Sequence, residues 1–268
     1  MTKYLAIDFE TANEHKLSAC SIGVVQFDKN EIIKQFSAFI KPPTGYQRLK
    51  QLNYKIHGIN QSKYMDSDYF DKIWEKLQKE FDLKQNIIVC HNASFDINVL
   101  KELFKHYKIK DEKFYFLDTI NLSKLTWNLS NYKLSTIASN LNIQLNHHNA
   151  LSDSLACASI AMKCLKKHNI NDFNYLLKNS RFGYGKLDNC KTITMSSSKY
   201  KSINNIDRSF SKIKIEDLKD IPENQKELQL DKISLAREEK VKEYEYVENL
   251  VGFIVGIFSI LIILQTLT

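Results

Sequence analysis

The sequence lacks the cysteine pattern of a disulfide or zinc framework. Its five cysteines are odd in number, and no two of them have the C-x-x-C spacing of a structural zinc site. They therefore indicate reduced thiols in an intracellular protein. The first ten residues, MTKYLAIDFE, reach acidic side chains within the length of one strand, which is not the pattern of a signal peptide. The chain also lacks internal repeats.

The charge is unevenly distributed along the chain. Residues 1–180 contain 24 Lys and Arg against 18 Asp and Glu, whereas residues 181–268 contain 14 against 13. With 43% hydrophobic and 11% aromatic residues, the chain can build a globular core. A mildly basic globular part is compatible with a polyanionic partner, although this balance alone is weak evidence.

Hydrophobic periodicity predicts an α/β domain over residues 1–180. KYLAIDFE, NIIVC and FYFLDTI have the pattern of buried strands, and CSIGVVQFD and EIIKQFSAFIKP predict a hairpin that turns at residues 28–30. An amphipathic helix is predicted around residues 68–82, and another begins with Ser94 as its N-cap. KLSTIASNLN and NALSDSLACASIAMKCLKKH predict two further helices. Hairpin strands followed by alternating strands and helices indicate a mixed sheet flanked by helices.

The remaining sequence changes in composition. Residues 181–249 are predicted to be a polar and charged linker, in which a helical pattern returns from Ile215 to Asn249. Residues 250–268 contain no charge, and 18 of them would span about 27 Å as a helix, enough for a bilayer core. Basic residues precede this segment, so a C-terminal membrane anchor would leave the folded domain facing the cytoplasm. The alternative is a hydrophobic helix that binds a partner protein.

Acidic residues occur at three places in the predicted domain. Asp8 and Glu10 end the first strand at positions i and i+2, so both carboxylates point to one face. Asp96 lies at the start of a helix, where the alternative role is a favourable interaction with the helix N-terminus. Asp153 lies on the last helix, and His148 comes just before it. Buried acids at such positions are costly unless they bind a metal.

Together these segments resemble the DEDD superfamily of 3′→5′ exonucleases, in the subclass that carries a histidine. The three motifs are D8-F9-E10-T11, H91-N92-A93-S94-F95-D96 and H148-N149-A150-L151-S152-D153. IHGI, from Ile56 to Ile59, also resembles the proofreading subunit of bacterial DNA polymerase III. The resemblance covers about residues 1–170 and implies a ribonuclease H-like fold. It selects His148 over His147, which is predicted to be a surface neighbour.

The resemblance implies a site for two Mg²⁺ or Mn²⁺ ions, for which carboxylates are suitable hard ligands. Asp8 would bridge both ions, Glu10 and Asp153 would support the ion that binds the attacking water, and Asp96 would orient the second ion. His148 would be the general base, since an imidazole pKa near 6.5 suits proton abstraction at neutral pH.

Five further residues are predicted to bind the substrate. Phe9 and Thr11 follow the first acid and would cradle the 3′-terminal nucleotide, Phe9 through its backbone. Ile56 and His57 would pack on the terminal bases, with ordinary loop packing as the alternative. Asn92 is either a substrate contact or a turn residue. The expected substrate end is single-stranded or frayed.

Three functions remain open at this point. The first is a metal-dependent 3′→5′ exonuclease that acts on DNA in proofreading or repair. The second has the same chemistry and trims RNA. The third is a membrane-tethered nucleic-acid-binding module without activity, which the filled catalytic positions argue against. Candidate partners are a DNA polymerase and a sliding clamp, since QKELQL at residues 225–230 resembles clamp-binding peptides; an ordinary charged helix is the alternative.

Overall fold

The computed structural model describes residues 2–81, 83, 86–110, 113–178, 180, 182–188 and 191–194. Within these residues, seven strands form one mixed sheet in the order β3-β2-β1-β4-β5-β6-β7. The β1–β4 and β4–β5 pairs are parallel, and the other four pairs are antiparallel. The strands are β1 (Tyr4–Thr11), β2 (Ala19–Phe27), β3 (Ile32–Phe39), β4 (Ile87–Cys90), β5 (Lys113–Asp118), β6 (Gly185–Asp188) and β7 (Lys191–Thr194).

Helices lie between and after the strands, and a short 3-10 turn, Lys16–Ser18, precedes β2. The described helices are α1 (Gln51–His57), α2 (Gln61–Met65), α3 (Phe70–Glu80), α4 (Ser94–His106), α5 (Thr119–Thr126), α6 (Leu134–Asn140), α7 (Ala150–Lys167) and α8 (Asn174–Lys178). This arrangement confirms the predicted α/β class with a mixed sheet.

The first hairpin has the predicted turn at residues 28–30. The carboxylate of Asp28 accepts the backbone N–H groups of Asn30 at 2.7 Å and Glu31 at 3.1 Å, which closes the turn between β2 and β3. β2 is buried along its whole length, whereas β3 alternates between more and less exposed residues. β3 is therefore the edge strand, and β2 lies inside the sheet.

One face of the sheet packs against α3 and α4 through aromatic side chains. The predicted apolar face of α3 is confirmed, because its residues are at most 2% exposed: Phe70, Ile73, Trp74, Leu77 and Phe81. The Trp74 ring contacts the Phe104 ring edge to face at 4.8 Å between centroids. Each such side chain stabilises the fold by about 1.5–3 kcal/mol through burial.

The opposite face of the sheet packs against α7. Small side chains dominate the buried face of this helix: Ala156, Cys157, Ala158 and Ala161. They allow a close approach to the sheet. β1 alternates between the two layers, with Leu5, Ile7 and Phe9 in the first core and Tyr4 and Ala6 in the second. Asp8 and Glu10 continue the alternation on the α7 side.

The domain extends beyond the predicted boundary at residue 180. β6 pairs with β5 and β7 pairs with β6, so the sheet reaches Thr194 and enters the predicted linker. Gly185 makes this pairing sterically feasible, because a Cβ at this position would overlap the Phe116 ring. The short segments GKLD and KTIT lack a clear hydrophobic alternation, which is why the sequence pattern missed them.

The predicted N-cap of α4 is also wrong. Ala93 occupies the N-cap position, and Ser94 is the first helical residue, with its hydroxyl donating to Oδ1 of Asn92 at 3.2 Å. The short helices α1, α2, α5 and α8 were not predicted either. Helices of five to eight residues show too few turns for a periodic pattern to be distinguished.

Several sequence predictions concern residues outside the described ones. They are the remainder of the linker, the QKELQL segment and the hydrophobic segment at residues 250–268. Among the helices that the structure describes, none has the length and apolar character needed to cross a bilayer.

Candidate active site

Three carboxylates converge at the end of β1. Ligand oxygens of Asp8, Glu10 and Asp153 all lie within 4.8 Å of one another. Asp8 and Glu10 share one face of β1, as the sequence predicts, and α7 brings Asp153 to the same face. Glu10 is 8% exposed and Asp153 is 3% exposed, so neither charge is well hydrated. Such an arrangement requires either protons or a cation between the carboxylates.

Asp96 joins this group from α4. Its Oδ1 accepts the backbone N–H of Phe9 at 3.0 Å, so the carboxylate is bonded to the residue that separates Asp8 from Glu10. The side chain is 2% exposed. Asp96 thus lies in the first turn of α4, as the alternative role at the helix N-terminus requires, and is also bonded to β1 between Asp8 and Glu10.

The start of α7 fixes the position of Asp153. The side chain of Asn149 accepts the backbone N–H of Ser152 at 3.0 Å and caps the helix. One turn later, the hydroxyl of Ser154 donates to the Gly23 carbonyl at 2.9 Å. A Cβ at Gly23 would overlap the backbone of Ala150, so the absence of a side chain at Gly23 lets α7 approach β2.

We expect Gly23→Ala to impair both stability and activity. The added methyl group must push the first turn of α7 away from β2, and overpacking of this kind costs about 1–3 kcal/mol. Urea unfolding measures the loss of stability, and the cleavage rate of the folded protein measures the displacement of Asp153. Gln35→Ala on the exposed edge of β3 is the control. Wild-type stability in Gly23→Ala would contradict the close approach.

Both histidines of the HH pair lie beside Asp153. Oδ2 of Asp153 accepts from Nδ1 of His147 at 2.9 Å and from the backbone N–H of His148 at 3.1 Å. The two imidazoles stack with centroids 3.9 Å apart and planes 14° from parallel. His147 is exposed, as predicted for a surface neighbour, and its ring is in addition bonded to a buried acid.

Burial raises the pKa values of Asp8, Glu10 and Asp96, and repulsion within the cluster raises those of Asp8 and Glu10 further. Burial raises the pKa of Asp8 well above its ordinary value, and the charges of Asp96, Glu10 and Asp153 raise it further. Burial, then Asp153 and Asp96, raise the pKa of Glu10 to about 8. Burial raises the pKa of Asp96 to about 8, although the Phe9 N–H and the nearby Lys16 oppose this rise. Without a cation, the cluster therefore retains protons near neutral pH.

The donor set fits divalent metal ions. Carboxylate oxygens are the ligands that Mg²⁺ and Mn²⁺ favour. Oδ1 of Asp153 is buried and has no hydrogen-bond partner among the described residues, although such atoms are normally satisfied. An ion among Asp8, Glu10 and Asp153 would satisfy this oxygen and remove the repulsion that raises the neighbouring pKa values.

His148 is suited to accept a proton. Burial lowers the pKa of its imidazole, and His147 lowers it further while Asp153 acts in the opposite direction. The first two effects favour the neutral form of the ring, which can accept a proton. Its backbone has a positive φ of 66°, which is uncommon for a residue other than glycine. Strain of this kind often occurs at functional sites.

The acids and both histidines border one cavity of about 250 Å³. Phe9 and Asn92, two of the predicted substrate residues, also line it. His148 borders a second cavity of about 310 Å³ as well, which His57, Gly58 and Ile59 line. Three of the five predicted substrate residues (Phe9, Asn92 and His57) thus line two adjoining cavities that share His148, whereas Thr11 and Ile56 line neither.

The predicted substrate residues differ in their burial and in their contacts. The Phe9 side chain is 2% exposed and belongs to the core, in agreement with a backbone role only. The Thr11 carbonyl accepts from Nδ2 of Asn53 at 2.8 Å, and Nε2 of His57 lies 3.2 Å from it. Nδ1 of His57 accepts the Ile59 N–H at 3.0 Å, so Nε2 carries the proton and donates to Thr11. Ile56 is 44% exposed and lines neither cavity.

Asp118 is a supporting residue that the sequence analysis missed. Its carboxylate accepts the backbone N–H groups of Asn92 and Ala93, both at 3.1 Å, and that of Ile120 at 2.9 Å. It thereby holds the turn between β4 and α4, which carries Asp96, and caps α5. Asn92 has a positive φ of 59° in this turn, and it also lines the cavity. Only the D-T sequence at the end of β5 could have indicated such a cap.

The chain is similar to known proteins in both sequence and fold. The family model described as Exonuclease (RNase_T) matches residues 5–161. The PolC-type DNA polymerase III of Caldanaerobacter subterraneus subsp. tengcongensis is 31% identical over 169 residues, which cover 62% of this chain and 12% of that protein. The corresponding protein of Mycoplasmopsis pulmonis is 32% identical over 186 residues, which cover 65% of this chain and 12% of that protein. The chain thus spans about an eighth of these relatives.

Solved structures share the fold at low sequence identity. A 3′-exonuclease with 3′-end specific recognition of a histone mRNA stem-loop is 17% identical, with a TM-score of 0.57 over 74% of this chain and 92% of that chain. The nuclease domain of 3′hExo, a DEDDh family member bound to rAMP, is 21% identical, with a TM-score of 0.51 over 62% of this chain and 92% of that chain. Likenesses at this level of identity establish the fold alone.

Proposed function

Because the chain belongs to the Exonuclease (RNase_T) family, we propose that it is a metal-dependent exonuclease that removes nucleotides from the 3′ end of DNA. The observation that carries this proposal is the convergence of Asp8, Glu10 and Asp153, whose ligand oxygens lie within 4.8 Å of one another. Oδ1 of Asp153 is also buried and has no hydrogen-bond partner among the described residues. Asp96 and His148 complete the same cavity. The site lies within the residues that match the family, so the chemistry and the family membership support each other.

Two Mg²⁺ or Mn²⁺ ions are the proposed cofactors. Asp8, Glu10, Asp96 and Asp153 would hold them, and the bound ions would neutralise charge at the scissile phosphate and make water more acidic. The protein itself contributes the neutral imidazole of His148, which accepts the proton of the attacking water. The Phe9 N–H keeps Asp96 in place, and the Asn149 cap and Gly23 keep Asp153 in place.

The proposed substrate is a single-stranded or frayed end. The cavity of about 250 Å³ is smaller than the roughly 300–1,000 Å³ of pockets for drug-sized ligands. It is therefore too small for a duplex, so a strand end must separate from its complement before it reaches the acids. The adjoining cavity beside His57 and Ile59 is available for the next part of the strand, because His148 borders both.

DNA is the proposed substrate in preference to RNA. The relatives with about 30% identity are DNA polymerases, which supports a role in proofreading or repair. The structural neighbour whose description names an RNA stem-loop is only 17% identical, so it supports the fold and not the substrate. RNA trimming remains the second candidate. A polymerase and, through QKELQL, a sliding clamp are the proposed partners.

Digestion of matched DNA and RNA strands tests this proposal. Single strands of the same sequence, labelled at the 5′ end, are incubated with Mg²⁺ or with EDTA. We expect rapid shortening of DNA, slower shortening of RNA and no reaction in EDTA. Faster shortening of RNA would favour the second candidate, and activity in EDTA would contradict the metal-dependent mechanism.

We also propose that residues 250–267 anchor the protein to a membrane with the nuclease facing the cytoplasm. This proposal rests on the sequence, where central Leu, Ile, Phe and Val each favour insertion by about 0.3–0.6 kcal/mol. The full-length protein should resist carbonate extraction, whereas a chain truncated after Glu245 should be released and equally active. Recovery of the full-length protein in the carbonate wash would favour the partner-helix alternative.

A further inference from the structure

The two carboxylate oxygens of Asp153 have different surroundings. Oδ2 accepts two N–H groups, one from the His147 ring at 2.9 Å and one from the His148 backbone at 3.1 Å. Oδ1 is buried and has no hydrogen-bond partner among the described residues. The carboxylate can rotate about its last bond, so the two bonds to Oδ2 decide which oxygen remains for the cluster with Asp8 and Glu10.

The His147 ring is well placed to hold this orientation. Nδ1 of His147 lies at hydrogen-bond distance from the oxygen that already accepts the His148 backbone N–H, and it donates to this oxygen in the tautomer that carries its proton on Nδ1. The edge of the ring bonds to Asp153, and its face stacks on the His148 ring with 3.9 Å between the centroids. The His147 side chain is 39% exposed, whereas that of Asp153 is 5% exposed. A partly exposed side chain therefore fixes a buried acid.

We propose that His147 is a positioning residue that directs Oδ1 of Asp153 toward the metal ions. This inference rests on the proposed function, because it assigns a role within the same site. Hydrogen bonds to ligating carboxylates tune metal affinity, and their loss typically costs about 10–100-fold in affinity or activity. His147 also supports His148, since it fixes one face of the imidazole that accepts the proton.

A second role for His147 is less compatible with the geometry. Ring nitrogens of His147 and His148 and an oxygen of Asp153 lie within 4.8 Å of one another, a spacing that one metal ion could bridge. An ion bound by an imidazole lies near the plane of that ring. The two rings are only 14° from parallel and stacked, so an ion in the plane of one ring lies outside the plane of the other. The hydrogen-bonding role fits the observed rings without rearrangement.

Direct metal binding separates this inference from the proposed function. Calorimetric titration with Mn²⁺ needs no nucleic acid, so it reports on Asp153 whichever substrate the enzyme cleaves. We expect His147→Ala to weaken Mn²⁺ binding and to raise the Mg²⁺ concentration for half-maximal cleavage, both by about 10-fold. His147→Asn should restore most of the loss, because its side-chain amide can donate from a position close to that of Nδ1.

The control is His106→Ala, which removes an exposed histidine at the end of α4. It should leave Mn²⁺ binding and the Mg²⁺ requirement unchanged. Unchanged Mn²⁺ binding in His147→Ala would overturn the proposal. Equal losses in His147→Ala and His147→Asn would overturn it as well, and would favour direct metal ligation by the imidazole. The wild-type protein could also bind Mn²⁺ more tightly than His147→Ala and yet cleave no nucleic acid. That result would count against the proposed function and would leave the role of His147 standing.

Discussion

Replacing Asp8 with alanine should abolish cleavage at saturating Mg²⁺. Asp8 lies at the centre of the carboxylate group, where it interacts with Asp96, Glu10 and Asp153. A metal ligand of this kind provides several kcal/mol of transition-state stabilisation, which corresponds to a rate loss of about 10³-fold or more. Initial rates on labelled single-stranded DNA measure the effect. Asp153→Ala should behave in the same way.

The fold of the Asp8 variant should be intact. Burial and neighbouring charges raise the pKa of Asp8, so its ionised form destabilises the metal-free protein as the pH rises above the ordinary carboxyl range. Removal of the acid should therefore leave metal-free thermal stability at neutral pH equal to or above that of the wild type. Asp66→Ala, which removes an exposed acid, is the matched control. Near-normal activity in either Asp8→Ala or Asp153→Ala would contradict the metal-site assignment.

Replacing His148 with alanine should reduce the rate by roughly 10²–10⁴-fold, as expected for the loss of a general base. Its effect should appear in kcat, because the metal ligands and the rest of the cavity remain. The backbone N–H that bonds to Asp153 is retained in this variant, so the acid keeps one of its two fixed contacts. Steady-state kinetics at saturating Mg²⁺ separate kcat from KM.

The two histidines can be ranked by the same kinetics. The sequence alone predicts that His147→Ala is nearly silent, whereas the bond from His147 to Asp153 predicts a moderate loss that high Mg²⁺ largely restores. High Mg²⁺ should not restore the cleavage rate of His148→Ala. A larger kcat loss for His147→Ala than for His148→Ala at saturating Mg²⁺ would indicate that His147 is the general base and that His148 is the positioning residue.

Only part of the carboxylate site was predictable from local periodicity. Asp8 and Glu10 share a face because strand residues alternate, and the packing face of α3 follows from helical periodicity in the same way. The convergence of Asp96 and Asp153 with them was predicted through the resemblance to the DEDD exonucleases, because no local pattern brings residues 96 and 153 to the end of β1.

The supporting contacts were not predictable because they join distant parts of the chain. Asp118 bonds to residues 25 and 26 positions earlier, and Ser154 bonds to Gly23 across 131 positions. No local pattern marks such partners. The ring of His147 is a different case, since Asp153 is only six residues away. The residue between them that the sequence pattern does not reveal as unusual is His148, whose φ of 66° is positive.

The most direct measurement of the central claim is the product pattern from 5′-labelled single-stranded DNA in Mg²⁺. A 3′→5′ exonuclease at the site of Asp8, Glu10, Asp96 and Asp153 should yield a ladder that shortens one nucleotide at a time from the 3′ end. The ladder should be absent in EDTA and in Asp8→Ala. Immediate release of the label as a mononucleotide, or internal cuts without a ladder, would contradict the account.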